Sequence, residues 1–305
     1  MNAVMGWLRT RAWTVALGAY GIIAIAVTYV YTPGLRGPFV FDDIPNITQN
    51  PAIQISSLSP SSLYAAAVSS PSSALGRPLA TLSFAINYLI AGDPTNTFAF
   101  KFVNLAIHLI NTVLVYWFVL LLLRKIAETR PTREQAPWLP LLIAVMWALH
   151  PLNLTSVLYV VQRMTSLSAL FVLLGMIIFL YGRQRVQERK EHGIALMVGG
   201  WLTGMIFGTA AKETAVLMLL YIPLTEYIFF PRSDFRNPAA RALYAFYGIA
   251  IILPLLIISA WVLAHPRFIV ESYEIRNFDM TERLLTRVRG SGLATDVGAS
   301  SEGCR

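Results

Sequence analysis

The stretch RPLATLSFAINYLIAG, residues 77–92, decides the topology. It is sixteen residues long with Arg77 at its start and Asp93 just beyond its end, whereas a helix needs about 20 apolar residues to cross roughly 30 Å of hydrocarbon. It therefore reads as an interfacial or re-entrant helix lying within a longer external segment. If it crossed, every later loop would change sides, and the distribution of basic residues described next would lose its asymmetry.

The composition places the chain in a bilayer. Of its 305 residues 56% are hydrophobic and 13% charged, about half the ~25% charge usual in a soluble domain. The formal charge of +8 does not imply nucleic acid, because Lys and Arg fall in short bursts between apolar runs rather than on one polar surface. Cys304 is the single cysteine, which excludes an internal disulfide and a cysteine-based metal site.

Seven apolar runs are candidate spans, at approximately 12–31, 102–123, 138–152, 165–182, 193–211, 215–230 and 242–264, of which the third and sixth are short. The first is too long for a signal peptide, and YVYTPGLRG after it offers no small-residue cleavage site, so it reads as an uncleaved anchor. With the N-terminus in the cytoplasm, the inner side carries thirteen basic and six acidic residues, crowded into the start of the chain and the loops around 124–134, 183–191 and 226–241. The outer side carries eleven and ten, spread over longer segments. Short cytoplasmic loops retain positive charge, which supports this orientation. The expected fold is an all-α polytopic membrane protein of about seven transmembrane helices, with a long first extracytoplasmic loop at 32–100 containing membrane-parallel helices. The membrane module is expected over 1–287. Residues 288–305 show neither helical nor strand period and read as a disordered or truncated tail.

One consequence bears on function. The motifs FDD (41–43), GRPL (76–79), HPLNLTSVLYVVQR (150–163), KET (212–214) and HPRF (265–268) all come out on the same external face. In GPFVFDDIPNITQNPAI, residues 37–53, Asp42 and Asp43 either cap a turn beside Pro45 and Asn46 or are held against protein by the apolar strip before them. Two adjacent carboxylates repel, which raises one pKa, and a partly desolvated carboxylate makes a better base. Lys212 and Glu213 form either a tight polar hairpin with a snorkelling lysine or a cation aimed at a phosphate and oriented by the acid. Arg163, in YVVQRMTSL, needs an anionic partner in its apolar setting, and Arg77 is similarly placed. His150 and His265, each followed by Pro, read as helix-end residues, and His108 as a packed core residue. Asn46 and Asn153 lie in N-x-T sequons that decide nothing. No nucleotide P-loop, HExxH or GxSxG motif is present.

If these groups converge, they suit sugar transfer from a polyprenyl-phosphate donor. A carboxylate takes the proton of an acceptor hydroxyl, direct displacement inverts the anomeric carbon, and Arg163 and Lys212 stabilise the leaving phosphate.

The ordered series FVFDDIPNITQNPAI, GRPLATLSFAINYLIAGDPTNTFAFKFVNLAIHLINTVLVY, HPLNLTSVLYVVQRMTSLSALF, KETAVLMLLYIPLTEYIFF and MTERLLT resembles the membrane module of the transmembrane O-mannosyltransferases that carry tetratricopeptide repeats, and of their bacterial relatives. The resemblance runs over approximately residues 12–287 and implies the GT-C fold, whose enzymes place an acidic motif in the first outer loop. On that basis Asp42 is the expected base, with Asp43 assisting or binding a divalent metal. Arg77, Arg163, Lys212 and Arg283 are expected at the donor phosphate, with Glu213, His150 and His265 in support. The implied partners are membrane lipids, a polyprenyl-phosphate sugar and a protein Ser/Thr acceptor. The implied membrane is the bacterial inner membrane, or the endoplasmic reticulum in a eukaryote. The family's further spans and repeats do not follow, so the chain reads as an incomplete module. The competing readings are a lipid or solute transporter or flippase, which would call for ionisable residues at span midpoints or broken helices in both halves, and an inactive truncated scaffold.

Overall fold

The computed structural model describes residue 18 and residues 20–70, 76–129, 138–230 and 238–265. The chain divides into two units, Met1–Phe246 and Tyr247–Arg305. All regular structure among the described residues is helical. In the first unit, helix α1 (20–31) leads into the segment 32–96, which holds α2 (Pro60–Ala67) and α3 (Pro78–Ala91). Then follow α4 (Thr97–Thr129), α5 (Leu139–Ala148), α6 (Leu154–Leu158), α7 (Arg163–Gln187), α8 (Gly193–Ala211) and α9 (Met218–Phe229). A further helix, α10 (Arg241–Ala264), runs into the second unit.

Local chemistry sets the boundaries of the external helices. Ser59 caps α2 by accepting the Ser62 amide at 3.2 Å, and Pro60 occupies the first helical position, where its missing N–H costs nothing. Helix α3 ends where Gly92 adopts a left-handed φ of 70° and its amide bonds to Tyr88 at 2.8 Å. Its 14 residues rise about 21 Å, short of the hydrocarbon thickness.

Four helices are long and apolar enough to cross a membrane: Thr97–Glu128, Val160–Gln187, Gly193–Ala211 and Arg241–Ala264. A fifth is counted if Leu139–Ala148 and Pro151–Leu158, bent by 51°, act as one broken span. The bend follows from Pro151, which forces His150 out of the helical region to ψ 131°. The described residues thus give four or five of the seven expected spans. The first candidate enters only from residue 18 onward. The sixth resolves into a 3₁₀ turn at Glu213–Leu217 followed by the 12-residue α9, too short by the same measure. Residues 266–305, including Arg283, the MTERLLT motif and the expected tail, lie outside the described residues.

Two helix pairs organise the first unit. Arg163 at the start of α7 bonds to Asn104 near the start of α4, and Gln187 at the end of α7 bonds to Lys125 near the end of α4. The two helices therefore run in the same direction, as spans separated by one returning segment must. Helices α7 and α8 meet through a glycine seam. A Cβ at Gly182 would lie 2.6 Å from the Met197 amide nitrogen, and one at Gly200 2.5 Å from the Gly175 carbonyl. Without a strong hydrophobic drive between helices in lipid, such close backbone approach supplies the packing. Helix α1 lays Ile23, Val27 and Tyr31 against Leu105, Ala148 and Val157. The segment 32–96 covers the start of the bundle, with its Ile47, Ile53 and Phe84, and Phe100 of α4, packed on Val160 and Met164.

Candidate functional site

The site grows from a break in the chain before α7. Helix α6 stops at Leu158, Tyr159 is extended at φ −98° and ψ 104°, and helical structure restarts at Val160. A restarting helix has orphan amides, and here a distant carboxylate takes them. Asp43 Oδ1 accepts from the Val161 amide at 2.7 Å, while Oδ2 accepts from Val160 at 3.4 Å and Val40 at 3.2 Å. Asp43 is completely buried. Burial pushes its carboxyl above the ordinary carboxylate range, against the opposing pull of these three amides and of Lys101. Lys101 itself is buried and donates to the carbonyls of Gly34, Gly37 and Pro38 at 3.4, 2.8 and 3.2 Å, fixing the turn that carries the acids.

Asp42 is placed differently. Its residue is exposed, and its amide donates to the Tyr159 hydroxyl at 3.1 Å. Burial, and to a lesser degree the charges of Asp42 and Asp43, raise the Tyr159 phenol. The Asp42 carbonyl accepts from the Asn46 side chain at 2.8 Å. Among the described residues no group of three or more His, Cys, Asp or Glu could hold a metal ion. With both Asp43 oxygens committed to backbone amides, the pair does not form a two-carboxylate seat for a divalent ion, and no chemical step is routed through one.

The cations Lys212 and Arg77 stand at the first turn of α7. Lys212 lies in an extended link after α8, at φ −161° and ψ 140°, and its Nζ donates to Thr165 Oγ1 at 2.7 Å. Thr165 in turn donates to Gln162 Oε1 at 2.6 Å. Burial, and after it the charge of Arg77, hold the Lys212 ammonium below the ordinary lysine range, with Glu213 acting in the opposite sense. Arg77 precedes α3 in the left-handed region, at φ 45°. Its Nε lies 3.2 and 3.1 Å from the two Glu213 oxygens, its Nη2 lies 3.0 Å from Oε2, and Nη1 reaches Met164 Sδ at 3.2 Å. Such a planar two-point pair is specific in geometry as well as charge. Tyr159, Gln162 and Thr165 recur at every third residue across the break and the restart of the helix, and Asp42 and Lys212 attach to the two ends of this row.

Arg163 corrects an expectation. It is completely buried, yet its acceptors are neutral. Nε donates to Asn104 Oδ1 at 2.7 Å, Nη1 to the Ser83 carbonyl at 3.1 Å, and Nη2 to Asn87 Oδ1 at 2.7 Å and the Phe100 carbonyl at 2.8 Å. Phe84 and Phe100 present their faces at 4.7 and 5.8 Å. The guanidinium ties α3, α4 and α7 together rather than facing a donor. Its partners Asn87 and Asn104, like Tyr159, Gln162, Thr165 and Lys101, escaped the sequence reading. The visible signal was an asparagine inside each of two apolar helices.

The remaining expected residues are elsewhere. His150 is an exposed cap at the α5–α6 bend, its Nδ1 accepting from the Leu152 amide at 3.2 Å. His108 is packed as expected, stacked on Trp147 at 5.0 Å with its Nε2 2.9 Å from the Ala148 carbonyl. His265 belongs to the second unit, where it stacks on Trp261 at 5.0 Å. Both sequon asparagines use their amide nitrogens internally, Asn46 on the Asp42 carbonyl and Asn153 on that of Trp147 at 2.6 Å.

A chain whose described residues are helical wherever they are regular and include four or five candidate spans, with an exposed carboxylate and two cations at one end of the bundle, is a multi-pass membrane protein with a polar site at a bundle end. It is distantly similar over most of its length to protein O-mannosyl-transferases, as the sequence motifs implied. Against Protein O-mannosyl-transferase TMTC1 of Mus musculus it is 28% identical over 221 residues, 70% of this chain and 20% of the relative. Against Protein O-mannosyl-transferase TMTC4 of Homo sapiens it is 29% identical over 213 residues, 67% of this chain and 27% of the relative. Against Protein O-mannosyl-transferase Tmtc2 of Drosophila melanogaster it is 30% identical over 150 residues, 49% of this chain and 15% of the relative. The chain thus spans between 15% and 27% of the length of these curated relatives. No family model and no solved structure matches it.

Proposed function

We propose that this chain is the membrane portion of an inverting glycosyltransferase of the GT-C type, built on a seven-span module. It moves a sugar from a polyprenyl-phosphate donor to a hydroxyl acceptor, a protein Ser or Thr, on the non-cytoplasmic face. Mannose as the sugar and protein as the acceptor rest on the printed names of the relatives. The observation that carries the reading is the row Tyr159, Gln162, Thr165, with the exposed Asp42 at one end and Lys212, beside the Arg77–Glu213 pair, at the other. The orientation rests on the excess of basic residues at the opposite end of the bundle, among them Arg124, Lys125, Arg183, Arg185 and Lys190.

In this reading the Asp42 carboxylate accepts the proton of the acceptor hydroxyl as its oxygen attacks the anomeric carbon. The bond from that carbon to the phosphate oxygen breaks, and its electron pair stays on the lipid phosphate. Lys212 faces the charge that develops there, a preplaced donor that needs no reorganisation during the reaction. Arg77 is held by Glu213 and lends positive potential. Asp43, Lys101 and Arg163 position the loop and the helix start without touching substrate.

The test is transfer of labelled sugar from a polyprenyl-phosphate donor in membranes carrying the chain. Asp42→Asn should lower turnover by about 10²- to 10⁴-fold, the usual range for a general base, with expression and thermal stability retained. Normal turnover in a folded Asp42→Asn protein would overturn the assignment.

A further inference from the structure

At the opposite end of the bundle the last turns of α7 and the first turns of α8 enclose a groove of about 560 Å³ that the proposed reaction does not use. Its walls change character along the helix. Ile178 lines it toward the interior of the span, Tyr181 and, level with Gly182, Leu196 follow, and then come Arg185, Glu188 and Lys190. Residues 178, 181, 185 and 188 follow the three- and four-residue spacing of one helical face. The groove thus passes from apolar to charged over ten residues, about 15 Å of rise, which is the same gradient that a phospholipid presents from acyl chain to headgroup.

The polar mouth has donors to spare. Glu188 is neutralised by Lys190 at 2.5 Å and accepts from Gln184 at 3.1 Å. Arg185 makes no hydrogen bond through its side chain among the described residues and is exposed. The Tyr181 hydroxyl accepts from Trp117 Nε1 at 2.9 Å, which leaves its own proton to donate. The backbone that shapes the mouth is strained. Arg189 sits at φ 54°, its amide on the Val186 carbonyl at 3.1 Å, while the Lys190 amide bonds to Arg185 at 2.8 Å. This helix ending ordinarily takes glycine at that position, and here it brings Lys190 back to the groove that Arg185 lines.

We propose that this groove is a binding site for an anionic phospholipid, with the acyl chain against Ile178 and Leu196 and the phosphodiester held by Arg185, the Tyr181 hydroxyl and Lys190. A basic pocket between membrane helices, roofed by interfacial aromatic residues, has the chemistry that selects such headgroups. The groove shares no residue with the proposed sugar-transfer site and lies at the other end of α7.

The experiment uses the purified chain in nanodiscs of equal parts phosphatidylcholine and phosphatidylglycerol, with a trace of photoactivatable phosphatidylglycerol, and maps cross-links by mass spectrometry. Labelling should concentrate on residues 178–196, fall about thirtyfold in a double Arg185→Gln, Lys190→Gln variant, since each basic residue near anionic lipid contributes a preference of about fivefold, and persist in Glu188→Gln. Tyr181→Phe, which keeps the apolar wall, should lower it by a smaller factor. Photoactivatable phosphatidylcholine should label these residues weakly. Equal labelling by the two lipids, or labelling untouched by loss of Arg185 and Lys190, would overturn the proposal.

Discussion

The Asp43 carboxylate accepts the Val161 amide at 2.7 Å across 118 residues of sequence. It caps the start of the Val160–Gln187 helix from a different segment of the chain, doing at long range what an N-cap residue does locally. A negative side chain there also meets the positive end of the helix dipole. One of two adjacent acids is consumed in building the site, and its neighbour is left to act in it.

This division separates the two aspartates experimentally. Asp43→Ala strands the amides of Val160 and Val161 without an acceptor, and unmet buried donors cost about 1–3 kcal/mol each. Thermal unfolding in detergent should show a loss of about 2–4 kcal/mol, with transfer lost in proportion to folded protein. Asp42→Ala should show the reverse, stability within about 0.5 kcal/mol of wild type and turnover abolished. Equal destabilisation by both would mean that the acids share one structural role.

The pH dependence of stability follows from the direction of the Asp43 shift. Burial raises its folded-state pKa above the unfolded value, near 3.9 in model peptides, so the folded state holds the proton more tightly. The contribution is fully present below the unfolded pKa and is lost as pH rises through the folded one. Asp43→Asn does not titrate. The melting temperature of wild type relative to Asp43→Asn should therefore fall as pH rises from about 4 toward neutrality. A rise over that window would show that the three amides and Lys101 outweigh burial.

Arg163 tests whether a buried cation braces or binds. Its guanidinium, on α7, meets four acceptors on two other helices, α3 and α4, and two aromatic faces. Lysine cannot reproduce that planar fork. Arg163→Lys should cost about 2–4 kcal/mol, since hydrogen bonds to a charged group contribute about 1.5–3 kcal/mol, and should leave turnover per folded molecule near wild type. Wild-type stability with a selective rise in KM for the lipid-linked donor would return Arg163 to the phosphate.

Sequence alone carried the helices but not the joints. The long apolar runs identify α4, α7, α8 and α10, and counting crossings puts Asp42 and Lys212 at the same end, where the structure has Asp42 attached to Tyr159 just before α7 and Lys212 to Thr165 in its first turn. The break at Tyr159 is what distinguishes Asp43 from Asp42, and nothing in FDD reports a break 117 residues later. Arg163 was read as needing an anion because neighbours in sequence are apolar. Its real neighbours, Asn87 and Asn104, come from α3 and α4 and are visible only once the helices pack. Among the described residues the span count is four or five. The first candidate is described only from residue 18 onward, the helix of the third ends at Ala148 before the bend at Pro151, and the sixth starts as a 3₁₀ turn at Glu213, so neither of the last two apolar runs is one continuous helix.

Lys212 supplies the sharpest link between geometry and rate. Burial and the neighbouring Arg77 lower its pKa, and Glu213 opposes them. Because the folded state releases this proton more readily than the unfolded chain, the group's contribution to stability rises with pH between the lowered value and the ordinary value of about 10.4. Catalysis has the opposite dependence, since stabilising a leaving phosphate requires the ammonium form. The alkaline limb of kcat/KM, which reports ionisations of the free enzyme, should fall at a pH below the ordinary lysine range. Glu213→Gln removes the influence that supports the charge and should move the limb to still lower pH. Lys212→Arg, which stays protonated throughout, should abolish the limb while retaining part of the turnover. A limb that stays in place in both variants would mean that some other group titrates there and that Lys212 does not face the phosphate.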